Sequence, residues 1–294
     1  MEVTVGRVAA LSPSDVDAVA LLLADIEGRV GHPVVDEHRW RCMVAGDRSA
    51  VAGLVARAVN GDPIAYAQVT RLRAGEWEVD LAVHPMHRAG PLTAGLAEAA
   101  LGVVRAEGGG HVQAWISSPS EDDDAAMADL GLPERRDLLQ LRRELPADPP
   151  PDGFEVRAFD AAADGDAWLA LNNELFAWHP EQGGWTRDDL DARLGAPWFD
   201  AAGFLLHDGP DGIDGFCWTK VHPGDVGEIY VIAGRPGLGR PLVLAGLHHL
   251  HADRGCTLGM LYCDASNERA MALYEGLGFA VGHVNRSYGG TITP

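Results

Sequence analysis

Apolar and polar positions alternate with a period of two over residues 77–83, Trp-Glu-Val-Asp-Leu-Ala-Val, and a shorter, more apolar run occupies 228–232, Glu-Ile-Tyr-Val-Ile. Both predict strands. Each is followed by a glycine-bearing turn and then by helical spacing: an Ala/Leu-rich run that stops at Glu107 before a row of glycines, and residues 241–251. Next come strands at 111–116 and 258–263, then helices opened by Glu121 and by Asn267. Upstream, each half carries a further apolar strand, 64–71 or 216–221, preceded by a helical stretch near 16–27 or 167–176. The repeated order predicts a mixed α/β sheet with helices on its faces, built twice. A period of about 150 residues signals duplicated domains rather than a solenoid.

Between the halves lies Leu145-Pro146-Ala147-Asp148-Pro149-Pro150-Pro151-Asp152-Gly153. Its prolines lack the N–H and restrict their neighbours, so it can neither continue a helix nor fill a central strand. The expected organisation is an N-terminal domain over 1–145, a linker over 146–152 and a C-terminal domain over 153–294. With 294 residues, each half can bury a core of its own.

The formal charge of −20, with no strong cluster of basic residues, argues against a nucleic-acid partner, because a phosphate backbone would be repelled. Cys42, Cys217, Cys256 and Cys263 form no C-x-x-C pair and no metal-ligand spacing, and read as reduced thiols. Glu2 stands where a signal peptide would want basic residues, and the apolar run 18–24 is broken by Asp25 and Glu27. The expectation is a cytoplasmic chain without a membrane partner. His248, His249 and His251 read as a solvated helix face, since no carboxylate or cysteine completes a ligand set; no metal is expected. The acidic run Glu121-Asp122-Asp123-Asp124 reads as a cluster that complements a helix dipole.

Gly237-Leu238-Gly239, after a strand and at the opening of a helix, aims backbone N–H groups at an anion. Downstream, Asn267 and Tyr274 share a helix that ends in Gly276-Leu277-Gly278-Phe279. In this order the two segments resemble the GNAT superfamily of acetyl-CoA-dependent N-acetyltransferases. The resemblance implies two tandem GNAT domains, a Gly-rich turn holding the coenzyme A pyrophosphate, an Asn supporting the pantetheine arm and a Tyr that protonates the departing thiolate.

The second half resembles one GNAT family closely, through Asn172-Asn173-Glu174-Leu175-Phe176-Ala177-Trp178-His179-Pro180-Glu181-Gln182-Gly183-Gly184-Trp185-Thr186, Trp198-Phe199-Asp200, Gly215-Phe216-Cys217-Trp218-Thr219-Lys220-Val221-His222-Pro223 and Gly227-Glu228-Ile229-Tyr230-Val231. It is similar to mycothiol synthases, which acetylate the cysteinyl amine of cysteinyl-glucosaminyl-inositol. The resemblance implies Glu228 as general base and Tyr274 as general acid. It implies Glu181, Lys220, Tyr262 and Glu228 as substrate contacts, with Asp36 contributed by the N-terminal domain. Acetyl-CoA would be held by Ile232, Ala233, Gly234, Arg235, Pro236, Gly237, Leu238, Gly239 and Arg240, and by Asn267, Glu268, Arg269, Ala270, Met271 and Ala272. In the first half Leu81, Ala82, Val83, Arg88, Ala89, Gly90, Pro91, Leu92 and Thr93 are candidates for a second, unproductive acetyl-CoA site.

Two departures stand out. The turn after Ile232 is shorter than the family pattern by roughly five residues, and Pro236 removes a further donor. The first half has Pro91-Leu92 where a second glycine belongs, and no Asn–Tyr helix, so it is expected to be silent. The expected chemistry is direct transfer by a monomer, without an acyl-enzyme. The alternatives are a GNAT for another small amine, a ping-pong route through Cys217, Cys256 or Cys263, or a non-catalytic coenzyme A-binding relic.

Overall fold

The computed structural model describes residues 4–8, 11–31, 33–35, 37–88, 91–178 and 182–294. They form two compact units: Met1–Leu138 with His283–Pro294, and Leu139–Gly282.

In the first unit, β1 (Thr4–Val8) leads to α1 (Pro13–Val30) and α2 (Glu37–Ala45), then to the antiparallel strands β2 (Ala50–Arg57), β3 (Pro63–Arg73) and β4 (Glu76–Val83). The helix α3 (Leu92–Ala106) crosses over to β5 (Gly110–Ser117), which runs parallel to β4. The last elements of this half are α4 (Glu121–Asp129) and β6 (Glu134–Glu144).

Local chemistry explains the helices. Ser12 caps α1 by accepting from Asp15 N, and Pro13 starts the helix where no N–H is needed. Val19, Leu22, Leu23 and Ile26 recur at helical spacing and pack on one sheet face against Val55, Tyr66 and Ala82. The opposite face takes α3, through Leu96, Ala100, Leu101 and Val104. Strand alternation thus feeds two cores. Asp80 occupies a polar position of the 77–83 alternation yet is buried, because Arg39 grips it with Nε and Nη2 at 2.8 and 3.0 Å.

The second unit repeats the plan. After β7 (Arg157–Ala158), α5 (Ala161–Leu175) and α6 (Arg187–Leu194), the antiparallel strands β8 (Phe204–Gly209), β9 (Gly212–His222) and β10 (Val226–Gly234) follow. The helix α7 (Gly239–His248) crosses to β11 (Leu258–Asp264), parallel to β10, and α8 (Glu268–Glu275) and β12 (Ala280–Ile292) end the chain. Trp168 and Leu171 of α5 and Leu190 of α6 pack on Phe204, Phe216, Trp218 and Val231. On the other face α7 comes so close at Gly246 that a Cβ there would collide with the Cys217 sulfur.

The linker expected at 146–152 falls inside the second unit. The units divide within β6, between Leu138 and Leu139, and within β12, between Gly282 and His283. Residues 285–292 of the last strand pair antiparallel with 110–117 of β5, so the chain's final strand belongs to the first unit. The later part of β6 instead borders β11. Nothing in the alternation of either strand encodes this exchange.

Among the described residues no helix is long and apolar enough to cross a membrane, and no group of three or more His, Cys, Asp or Glu side chains is arranged to hold a metal. The triple-histidine segment needs correction as a solvated face. A π-helical turn over His249–Asp253 rotates His249 inward, where it is 6% exposed and its Nδ1 meets Asp253 at 2.9 Å. His248 alone is exposed there. The acidic run opens α4 as expected, and two of its members are also paired: Asp123 closes a capping box with Ser120 and is buried, and Asp124 takes hydrogen bonds from Arg286 and Tyr288.

Candidate functional site

The parallel pair β10 and β11 is in register only from Val226↔Leu258 to Ile229↔Leu261. Beyond Ile229, β10 continues along β9 to Gly234 while β11 runs on to Asp264, so the two strands part company. A β-bulge between Ile229 and Val231 marks the departure. It re-aims Tyr230, whose ring meets Trp198 at 5.0 Å and Trp218 at 5.5 Å.

Glu228 sits just before this bulge, directly opposite Lys220 of β9 and in register with Met260 of β11. Opposed residues share a face, and period-two alternation adds His222 and Tyr262 to it. The residue as a whole is only 6% exposed. Its Oε2 lies 2.6 Å from His222 Nε2, and its Oε1 has no hydrogen-bond partner among the described residues. Lys220 Nζ lies 4.8 Å from the Trp198 ring and 5.9 Å from the Tyr230 ring. Tyr262 accepts a hydrogen bond from Gln140 of β6 at 2.9 Å, and Gln140 is itself fully buried. Glu228, Lys220 and Tyr262, expected as site residues, therefore share one face of one sheet.

Tyr274 projects from α8 and is buried, with Phe279 edge-on at 5.8 Å. Its hydroxyl has no hydrogen-bond partner among the described residues. Burial, with smaller contributions from the Cys263 and Cys217 thiols, pushes the phenol above its ordinary range. Burial likewise pushes Cys217 up to about 12 and Cys263 up to about 11, and raises Cys256. Thiols held protonated in this way are poor nucleophiles.

The segment expected to hold acetyl-CoA opens α7. Leu238 occupies the N-cap without a side-chain bond, and the backbone N–H groups of Gly237, Gly239 and Arg240 have no partner among the described residues. Gly237 sits at φ +99° with open space where a side chain would be. These donors are of the kind that a helix N-terminus offers to an anion, although Pro236 and Pro241 supply none. Arg235 is clamped by both carboxylate oxygens of Glu174 on α5, and Arg240, exposed at the helix mouth, donates to the Gly276 carbonyl at 3.3 Å. Ile232, Ala233 and Gly234 end β10. Asn267 caps α8 by accepting from Ala270 N at 3.2 Å, and Glu268, Arg269, Met271 and Ala272 form the turns that follow. The residues present fit a pyrophosphate, with fewer donors than a full-length turn.

The candidate second site in the first unit is differently built. Leu81, Ala82 and Val83 are buried at the end of β4, and Leu92 and Thr93 are buried in the first turn of α3, with Pro91 at its N-cap. Arg88 donates to the carbonyls of Val83, Ser117 and Ser118, tying together the ends of β4 and β5. Asp36, Glu181, Ala89 and Gly90 lie outside the described residues. Sequence reasoning missed His222, Gln140, Trp198 and Tyr230 as parts of the site. His222 had a signal, since it stands two residues beyond Lys220 on an alternating strand.

No protein-family model matches the chain. It is 43% identical over 294 residues to a mycothiol acetyltransferase of Salinispora tropica, covering 94% of this chain and 93% of the relative. It is 40% identical over 298 residues to a mycothiol acetyltransferase of Streptomyces avermitilis, covering 97% and 94%. Among solved structures, a GCN5-related N-acetyltransferase from Sphaerobacter thermophilus superposes with a TM-score of 0.74 at 24% identity, covering 99% of this chain and 96% of the other. A tandem GNAT protein from the clavulanic acid biosynthesis pathway gives 0.67 at 16% identity, covering 100% and 99%. These structures carry the fold.

Proposed function

The chain belongs to the mycothiol acetyltransferase family and is an acetyl-CoA-dependent N-acetyltransferase, and we propose that it acetylates the cysteinyl amine of cysteinyl-glucosaminyl-inositol to complete mycothiol. The observation that carries the amine chemistry of this reading is Glu228, a nearly buried residue whose Oε1 has no hydrogen-bond partner among the described residues, beside the point where β10 leaves β11.

An ammonium must lose a proton before it can attack a thioester, and the Glu228 Oε1 atom is placed to take it. Acetyl-CoA supplies the activated acyl group and a thiolate leaving group. The α7 N–H groups and Arg240 hold its pyrophosphate end, and Tyr274, kept protonated by burial, returns a proton to the sulfur. Lys220, Tyr262 and Glu181 supply the donors and acceptors that a sugar–inositol ligand demands. Direct transfer is favoured over a thiol relay because Cys217 and Cys263 are buried and resist ionisation.

The test follows product mass, because the substrate's own thiol would confuse a thiol-release assay. Wild type is expected to convert cysteinyl-glucosaminyl-inositol to its N-acetyl form, and Glu228→Gln to slow this by about 10²–10⁴-fold. An unchanged rate in Glu228→Gln would remove the base assignment, and no product from wild type would remove the substrate.

A further inference from the structure

A buried base needs its reactive oxygen aimed, and the β9–β10 ladder builds the group that can do this. His222, the last residue of β9, pairs with Val226, two positions from the Lys220↔Glu228 pair. Its imidazole therefore reaches across to Glu228 on the shared face, Nε2 to Oε2 at 2.6 Å. The Glu228 side chain is 9% exposed, whereas that of His222 is 24% exposed. One end of the imidazole thus touches the carboxylate while the ring reaches toward solvent. Lys220 from β9 and Tyr262 from β11 project on the same face.

We propose that His222 is the positioning residue for the catalytic base: Nε2–H donates to Glu228 Oε2 and fixes the carboxylate so that Oε1 meets the substrate ammonium. This rests on the reading of Glu228 as base. A base oriented by a third group is the general logic of activated acid–base pairs. Freed of this bond, a carboxylate beside Lys220 would be drawn toward the ammonium of Lys220 and away from the substrate.

The alternative is that His222 merely fills the end of the strand, and two substitutions separate the cases. Phe keeps the bulk of the ring and removes the donor, whereas Gln keeps an N–H donor and loses the ring. Positioning predicts that His222→Phe lowers kcat about tenfold to hundredfold with KM for acetyl-CoA within about twofold, and that His222→Gln restores most of the loss. In a Glu228→Gln background His222→Phe is expected to add almost nothing, because both changes remove the same function. Full activity in His222→Phe, or an undiminished further loss in the double variant, would overturn the proposal.

A readout independent of turnover keeps the two readings distinct. In ¹⁵N-histidine-labelled protein the His222 resonances, assigned by their loss in His222→Phe, are expected to shift in Glu228→Gln. An unmoved His222 signal would overturn the pair whatever the substrate. A shifted signal in a protein that makes no acetylated product would uphold the pair and overturn the proposed substrate.

Discussion

Gln140 donates its side-chain amide to the Tyr262 hydroxyl at 2.9 Å across a sequence separation of 122 residues, and Arg142 in turn donates to Gln140 Oε1. A phenol that accepts this bond has its rotation fixed, so its own proton is directed by Gln140. Gln140→Leu is expected to raise KM for the amine substrate about tenfold, the scale of one lost hydrogen bond near 1.4 kcal/mol, and to leave KM for acetyl-CoA unchanged. Equal changes in both constants would show that the bond supports the fold rather than the substrate pocket.

Tyr274→Phe removes a hydroxyl without a hydrogen-bond partner among the described residues and leaves the edge-on contact with Phe279. Thermal stability should therefore hold within about 0.5 kcal/mol, while kcat falls by about 10²-fold or more. Because burial raises the phenol above its ordinary value of about 10, the proton-donating form persists through neutral and mildly alkaline pH. A pH–rate profile should show no alkaline decline from this group below about pH 10; a decline present in wild type and absent in Tyr274→Phe would show that the phenol ionises in that range and would contradict its elevation by burial.

At Gly246 the helix α7 approaches β9 so closely that an added methyl would strike the Cys217 sulfur. Gly246→Ala should destabilise the second unit by about 1–3 kcal/mol, despite the better helix propensity of alanine. Cys217→Ala in the same chain should recover most of the loss, and denaturant unfolding of the single and double variants measures it. Strictly additive losses would place the strain elsewhere.

Asp164, in the first turn of α5, accepts two bonds from Arg157 at 2.7 and 2.9 Å and one from Asp160 N at 2.8 Å. The Arg157 guanidinium is the main reason its carboxyl lies below the usual range. A depressed folded pKa stabilises above the unfolded value of about 3.9 and loses that contribution as pH falls through the folded value. Asp164→Asn should cost about 1–2 kcal/mol at pH 7, a figure reduced because Arg157 is partly exposed. The gap from wild type should close below about pH 4, and a gap unchanged at pH 3 would mean that charge plays no part.

What the sequence disclosed follows from the range over which each signal acts. The alternation at 77–83 and the Gly237-Leu238-Gly239 turn are local, and they located a strand and a helix mouth correctly. Lys220, Glu228 and Tyr262 were named through resemblance, but their common face depends on strand register, which no single segment encodes. The same limit hid the bond from His222 to Glu228. Gln140 is a single polar residue among Leu138, Leu139 and Leu141 of β6, and its partner lies on a strand whose neighbour could not be anticipated. His249 misled for a different reason: the π-helical turn breaks the helical period that placed it with its neighbours on a solvated face.

The pairing of residues 110–117 with residues 285–292 gives the two units an order in time. Translation proceeds at about 5–20 residues per second, so β5 emerges on the order of ten seconds or more before its partner strand exists. During that interval one edge of β5 carries unpaired backbone groups. The part of the protein that is synthesised first is completed last, and a nascent chain arrested before residue 285 would hold a finished β4–α3–β5 crossover with an open border.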